Sequence, residues 1–225
     1  MRIETPKDKG FYDHDFKASW LNNISYEEWN KFLSHNYSYS REEAYSAIKN
    51  FLEDKPVQRF LEIGFGQCYD FECCFKDLHR TGKIIYSGWE ITAKFSEYAR
   101  QKFPEYSSQF YPGVWGFADL PEHYFNIIYT RHTLEHQNPL HGYDYFNNIL
   151  KSTFNMAVVT WFKPPANEEK FTWNNRDGKG KGAYVNTYSK KKLLNILDSN
   201  GFNFKRISIQ VGNKVNEIWI MIRGE

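Results

Sequence analysis

Long apolar runs are missing from this sequence. No stretch approaches the roughly 20 residues that a helix needs to cross a bilayer, and the opening Met1-Arg2-Ile3-Glu4-Thr5-Pro6-Lys7-Asp8 lacks the apolar segment of a signal peptide. The expectation is a cytoplasmic protein with no membrane partner. An excess of one charge is missing too, because 29 Lys and Arg are balanced by 27 Asp and Glu to a net charge of +2. Such a surface has no strong field to draw nucleic acid or anionic lipid. The local basic cluster, Lys179, Lys181 and Lys190 to Lys192, reads as a solvated face. Cysteine is scarce: there are three, Cys73 and Cys74 are adjacent, and no Cys-x-x-Cys pair occurs. A disulfide framework is excluded, and the thiols are expected reduced, helix-borne and mostly buried. No internal repeat is visible.

What is abundant is aromatic: 19% of the residues, with 16 Tyr and 19 Phe. They either fill a core or line a pocket for a flat or sugar-like molecule. The length of 225 residues suits one α/β domain with additions and a substantial core.

The chemistry concentrates in Arg59 to Phe71. Phe60, Leu61 and Ile63 form an apolar strand that runs into Gly64 and Gly66, and a helix-compatible stretch opens around Asp70. Strand, tight turn and helix start make the place where an α/β sheet offers backbone N–H groups to a ligand. Glycine serves the turn by tolerating positive φ and by letting a ligand approach the backbone. Downstream, Ile84 to Trp89 is a second strand ended by Glu90. Phe125 to Tyr129 lies in a third apolar strand that runs into Thr130-Arg131-His132-Thr133-Leu134-Glu135-His136.

The rest of the chain fits an alternating pattern. Ser25-Tyr26-Glu27-Glu28 and Ser40-Arg41-Glu42-Glu43 match the capping-box spacing, and the second helix continues with Ala44, Tyr45, Ala47, Ile48, Phe51 and Leu52 on one face. It should pack on the sheet. Helices are expected at Phe71 to Arg80, stopped by Gly82, at Thr92 to Phe103, halted by Pro104, and after Pro139 through Tyr143, Phe146, Ile149 and Leu150. A weak strand falls near Gln109 to Tyr111. Met156 to Phe162 reads as a strand buried on both faces, and Pro164 to Ala183 as a long polar loop on the ligand side of the sheet. Ser189 caps a last helix. Phe202 to Gln210 and Glu217 to Arg223 alternate as an antiparallel hairpin at the sheet edge.

The series Glu62, Gly64-x-Gly66, Glu90 and Leu134-Glu135-His136 resembles the class I S-adenosylmethionine-dependent methyltransferases, in particular their small-molecule branch of the type 11 kind. The resemblance covers roughly Val57 to Phe162, with an echo in Tyr188-Ser189-Lys190 and Asn200-Gly201-Phe202. It implies a three-layer Rossmann-like fold with a seven-stranded, mostly parallel sheet, an antiparallel C-terminal hairpin and an N-terminal helical cap. The cap would span residues 1–56 and the methyltransferase domain residues 57–225. The implied cofactor is S-adenosyl-L-methionine. Glu62 would face its ammonium, the backbone of Gly64, Phe65, Gly66 and Gln67 its carboxylate, Glu90 its ribose hydroxyls and Ile91 its adenine. Phe117 and Arg131 complete the implied cofactor residues. The implied activity is methyl transfer to a small-molecule acceptor, at a hydroxyl oxygen, with His136 or His132 as base or else as structural histidines holding the loop.

Three positions depart from the family pattern. Cys68 stands where relatives carry a third glycine, Gly116 where an Asp receives the adenine amine, and Asn126 where strand four begins with Asp. The adenine contact would fall to Asp119 or to the Phe117 backbone. The same departures suit a catalytically inactive binding protein of this fold. An RNA methyltransferase would need a basic, aromatic-interleaved face, and a nicotinamide-dependent oxidoreductase the missing third glycine. His132-Thr133-Leu134-Glu135-His136 also has the His-x-x-Glu-His order of certain zinc peptidases. That reading needs one continuous helix face, which Pro139 cuts short, so no metal is expected. Phe11 to Trp20, His132 to His136 and Phe171 to Tyr184 are the segments expected around the acceptor.

Overall fold

The computed structural model describes residues 40–90, 93–112, 120–137, 139–175, 182–211 and 213–224. Seven strands form one sheet: β1 Gln58–Ile63, β2 Ile84–Glu90, β3 Phe110–Pro112, β4 Phe125–Arg131, β5 Thr153–Trp161, β8 Phe202–Val211 and β9 Lys214–Arg223. Their spatial order is β3-β2-β1-β4-β5-β9-β8. The first five run parallel, while β9 is antiparallel to both β5 and the edge strand β8. Strand order reverses between β1 and β4. In an open α/β sheet the ligand crevice opens there, outside the carboxyl ends of the strands.

Helices cover both faces. On one side lie α1 (residues 40–52), α2 (residues 71–80) and α3 Ala93–Lys102. The apolar side of α1, with Ala44, Ile48 and Leu52, packs into a core with Phe60, Phe71, Phe75 and Tyr86. The Phe60 ring lies 4.5 Å from Phe75 and 5.9 Å from Tyr86. On the other side α4 Gly142–Ser152 and α5 Lys190–Ser199 bring Phe146, Ile149, Leu193 and Leu197 against Trp161 and Trp219. Aromatic rings therefore make up much of both cores. Ser189 caps α5 as expected, its side chain accepting from the Lys192 N–H at 3.4 Å.

Four local expectations change. Helix α2 opens as a π turn, Phe71–Phe75, before the α-helical Lys76–Arg80; such turns occur often at functional sites. Cys68 lies in the turn before α2, not on a helix. A turn runs from Pro139 to His141, and α4 begins only at Gly142. The expected loop from Pro164 to Ala183 contains a two-stranded antiparallel hairpin, β6 Trp173–Asn175 and β7 Gly182–Tyr184. Asn174 and Asn175, a pair that reads as a turn, lie in β6 itself, and strands of three residues are too short for alternation to register.

Candidate cofactor and acceptor site

The β1–α2 turn is built on two left-handed glycines with different surroundings. Gly64, at φ +74°, donates its N–H to the Trp89 carbonyl at 2.7 Å, and a Cβ on it would sit 2.3 Å from Thr133 Oγ1. It is needed so that β4 can close on β1. Gly66, at φ +54°, has nothing within 4 Å of where its Cβ would be. That open side is where a ligand can reach the backbone. Glu90, buried at the end of β2, accepts the Gly66 N–H at 2.9 Å, so the second acid meets the glycine turn directly.

The neighbouring residues divide. The Phe65 ring packs 5.3 Å from Phe110, in room left by Gly88, whose Cβ would lie 2.8 Å from it. Only its backbone remains for the turn. Gln67 is buried, and its Oε1 has no hydrogen-bond partner. Cys68 holds the left-handed region at φ +62° without being glycine, a conformation that costs roughly 1–2 kcal/mol. Burial, then the nearby Glu62, pushes its thiol far above the usual range, so it is inert.

Below the turn lies a buried ionic cluster. Asp70 accepts from Arg41 Nε at 2.7 Å, Arg131 Nε at 2.5 Å and Tyr129 Oη at 2.9 Å. Burial opposes its charge, but Arg131 and Arg41 outweigh that and hold the carboxyl at about 2. Glu62 accepts from Tyr86 Oη at 2.6 Å. Burial, and next the charge of Asp70, push it up to about 8. The fold thus favours a neutral Glu62, while the unfolded chain ionises it near its ordinary 4.5. The unfolded state binds fewer protons between these values, so this contribution to stability is lost as pH rises through 8. Melting temperatures measured from pH 5 to 9 should fall along that series, and Glu62→Gln should flatten the slope; a rising or level wild-type curve would contradict this.

Arg41 comes from α1 and stacks 4.2 Å above the Tyr69 ring; its Nη2 is buried without a partner. Neither Arg41 nor Asp70 stood out in the sequence as a site residue. One lay inside a capping box, the other at a helix start, and only a buried charge 29 residues from its partner marks them. Asn126, in the place of an Asp, accepts the Arg59 N–H at 2.8 Å and ties β4 to β1.

The acceptor-side segment is a single 3-10 turn, Leu134–His136. His132 precedes it at φ +52°, and burial, then the charge of Arg131, pushes its imidazole well below the usual range. It is neutral at physiological pH. His136 Nδ1 lies 2.7 Å from the Tyr184 carbonyl; a carbonyl only accepts, so Nδ1 carries the proton and the lone pair of the neutral ring is on Nε2. The Phe162 ring lies 5.5 Å from His132 and 5.3 Å from His136. Glu135 turns away from both, accepting the Phe162 N–H at 2.7 Å. Among the described residues no three His, Cys, Asp or Glu side chains converge as a metal site. Ile91, Gly116, Phe117, Asp119, the Phe11 to Trp20 segment and the first capping box lie outside the described residues.

This sheet order, with the glycine turn at its switch point, is the fold of the class I S-adenosylmethionine-dependent methyltransferases. The chain is similar over 97% of its length, and 100% of the other chain, to magnesium protoporphyrin IX methyltransferase from Synechocystis PCC 6803, crystallised with bound S-adenosylmethionine, at 14% identity and a TM-score of 0.65. It is similar to the 1,6-didemethyltoxoflavin-N1-methyltransferase of Burkholderia thailandensis, crystallised with 1,6-didemethyltoxoflavin and S-adenosylhomocysteine, at 12% identity and a TM-score of 0.66, covering 99% of this chain and 94% of that one. The cyclase SpnF is a further match, at 11% identity and a TM-score of 0.55, over 81% of this chain and 80% of that one. No protein-family model matches the sequence, and no curated protein matches it.

Proposed function

We propose that the protein transfers a methyl group from S-adenosylmethionine to a small-molecule acceptor, at a hydroxyl oxygen. The observation that carries this reading is the glycine turn. The space over Gly66 is open, and beside the turn lie two buried polar atoms without partners, Gln67 Oε1 and Arg41 Nη2. An acceptor and a donor left unmade in a buried site are costly unless a ligand completes them. A zwitterionic amino-acid group has both complements. In this reading Glu62 faces the ammonium, whose charge draws the otherwise neutral carboxyl into its ionised form, Arg41 and Arg131 balance the carboxylate, and Glu90 takes the ribose hydroxyls. Gly64 and the backbone of Phe65, Gly66 and Gln67 shape the turn. Ile91 and Phe117 are assigned to the adenine by resemblance. Bound there, the cofactor would supply an activated sulfonium methyl.

For the acceptor, His132 and His136 bracket Phe162 at the carboxyl ends of β4 and β5, and a neutral imidazole can take a hydroxyl proton. The similarity to the magnesium protoporphyrin IX and 1,6-didemethyltoxoflavin methyltransferases supports a small-molecule acceptor; no helix among the described residues is long and apolar enough to cross a membrane. The proposed division remains a cap over residues 1–56 and a methyltransferase domain over 57–225, in the cytoplasm. The second reading, a non-catalytic or non-methylating protein of this fold, draws on Cys68 in the left-handed turn and on the cyclase among the structural matches.

Calorimetry separates these readings from the rest: S-adenosylhomocysteine should bind and nicotinamide dinucleotide should not, and the opposite result overturns the proposal. With an acceptor found by screening, His136→Ala and His132→Ala should each lower turnover at least about 100-fold, the low end of the usual contribution of a general base, while leaving S-adenosylhomocysteine affinity nearly unchanged. Binding without turnover in the wild type would favour the second reading.

A further inference from the structure

The turn that follows His132 and carries His136 is gripped at four successive residues, 134–137, by the chain returning from the β6–β7 hairpin. Tyr188 Oη donates to the Leu134 carbonyl at 2.9 Å, and the Asn186 N–H donates to the Glu135 carbonyl at 2.9 Å. His136 Nδ1 donates to the Tyr184 carbonyl at 2.7 Å, and Asn186 Nδ2 donates to the Gln137 carbonyl at 2.6 Å. These bonds hold the turn to the hairpin. The side chain of Glu135 makes a different link: its Oε1 accepts the Phe162 N–H at 2.7 Å and receives the Lys163 N–H more weakly at 3.5 Å, where β5 ends.

Phe162 matters because its ring lies beside both histidines. Its backbone has just left the sheet, since β5 ends at Trp161, so the ladder no longer fixes it. We propose that Glu135 is a positioning residue: it clamps the end of β5 to the turn after β4 and so sets Phe162 and the two histidines at a fixed spacing on the acceptor side. The placing of an acceptor there rests on the methyltransferase reading; the clamp itself does not.

The carboxyl is wholly buried, and its Oε2 has no hydrogen-bond partner. An ionised carboxylate with one bare oxygen would be costly in such surroundings. The neutral acid, with its proton on Oε2 and Oε1 accepting, fits them better. Burial pushes the group up to about 8, against the pull of the backbone N–H groups around it. The titratable groups around it are Tyr188, whose hydroxyl is itself pushed up by burial, and its chain neighbour His136; Lys163 faces it through the backbone N–H. Glutamine should therefore replace Glu135 well, since it keeps an oxygen acceptor and carries no charge. An apolar side chain of similar size should not.

An acceptor-independent test uses nuclear magnetic resonance on the full chain, comparing wild type with Glu135→Gln and Glu135→Leu. The wild-type Phe162 amide should be strongly protected from exchange at pH 7, and its shift should titrate with a midpoint near 8. In Glu135→Gln the protection should stay and the titration vanish. In Glu135→Leu the protection should drop at least about tenfold, the scale of one lost hydrogen bond, and the ring-current shifts that Phe162 imposes on both imidazoles should change. A leucine variant with wild-type protection and wild-type imidazole shifts overturns the proposal, as does a glutamine variant that behaves like leucine. Calorimetry with S-adenosylhomocysteine on the same samples should show similar affinity in all three. If none of them binds it, the cofactor reading fails while the clamp is still judged by the amide and imidazole signals.

Discussion

Asp70→Ala should lower the melting temperature by about 6–20 °C. The side chain is the shared acceptor of Arg41, Arg131 and Tyr129, and removing it leaves two guanidinium groups buried without a counter-charge. Breaking a buried pair from one side costs about 3–5 kcal/mol, and 1 kcal/mol corresponds to about 2–4 °C in a chain of this size. The wild-type contribution has a pH signature of its own. Because the Asp70 carboxyl is held at about 2, below its ordinary 3.8, the stabilisation is present above pH 4 and is lost as pH falls through 2. Asp70→Ala should therefore lose the acid part of the stability profile as well as its height. A variant that melts within a degree of wild type would show that the cluster is solvated in solution and does not hold α1 against the turn.

Gly66→Val should reduce S-adenosylhomocysteine binding by at least about 100-fold, equivalent to about 2.7 kcal/mol, and should reduce stability far less than Gly64→Val does. The two glycines differ in what surrounds them. A side chain at Gly64 drives into Thr133 Oγ1, 2.3 Å from the Cβ position, so it separates β1 from the end of β4. A Cβ at Gly66 meets no heavy atom within 4 Å apart from its chain neighbours, so the side chain points into the space assigned to the ligand. The residual cost at Gly66 is the left-handed backbone, φ +54°, which costs about 1–2 kcal/mol for a side chain with a Cβ. Calorimetry and thermal melts on both variants read the contrast. Wild-type affinity in Gly66→Val would place the ligand elsewhere and remove the main support for the proposed function.

Much of this architecture could be read in the chain itself, for a physical reason. Burial on one face or both imposes a period on the residues it covers, and that period is local. The apolar run of β5, the face of α1 and the glycine pair before α2 each report their own surroundings, whereas β9, expected to alternate, is buried without a break from Asn216 to Met221 because it lies between β5 and β8. So the seven strands of the main sheet, the direction of its C-terminal hairpin and the location of the glycine turn were legible, as was the placement of Glu62 and Glu90 near it. Where elements are only three residues long, as in β6 and β7, no period can form, and the segment read as a loop.

Convergence across the sheet was not legible. Arg41, Asp70 and Arg131 meet from α1, the start of α2 and the end of β4, at separations of 29 and 61 residues. Nothing in the local sequence of any of them signals the other two. The same holds for the ring of Phe65: the glycine motif speaks only for its backbone, and the tertiary structure turns the side chain into the core through the gap at Gly88. It holds for Glu135, which the sequence showed only as part of the Leu134-Glu135-His136 motif and which packing sets against the end of β5. Sequence alone determined which segments are buried and where the backbone must be free of side chains, because both are properties of a residue and its near neighbours. Only the tertiary structure decided which charges face one another, because that depends on how the strand order reverses between β1 and β4 and brings distant ends together.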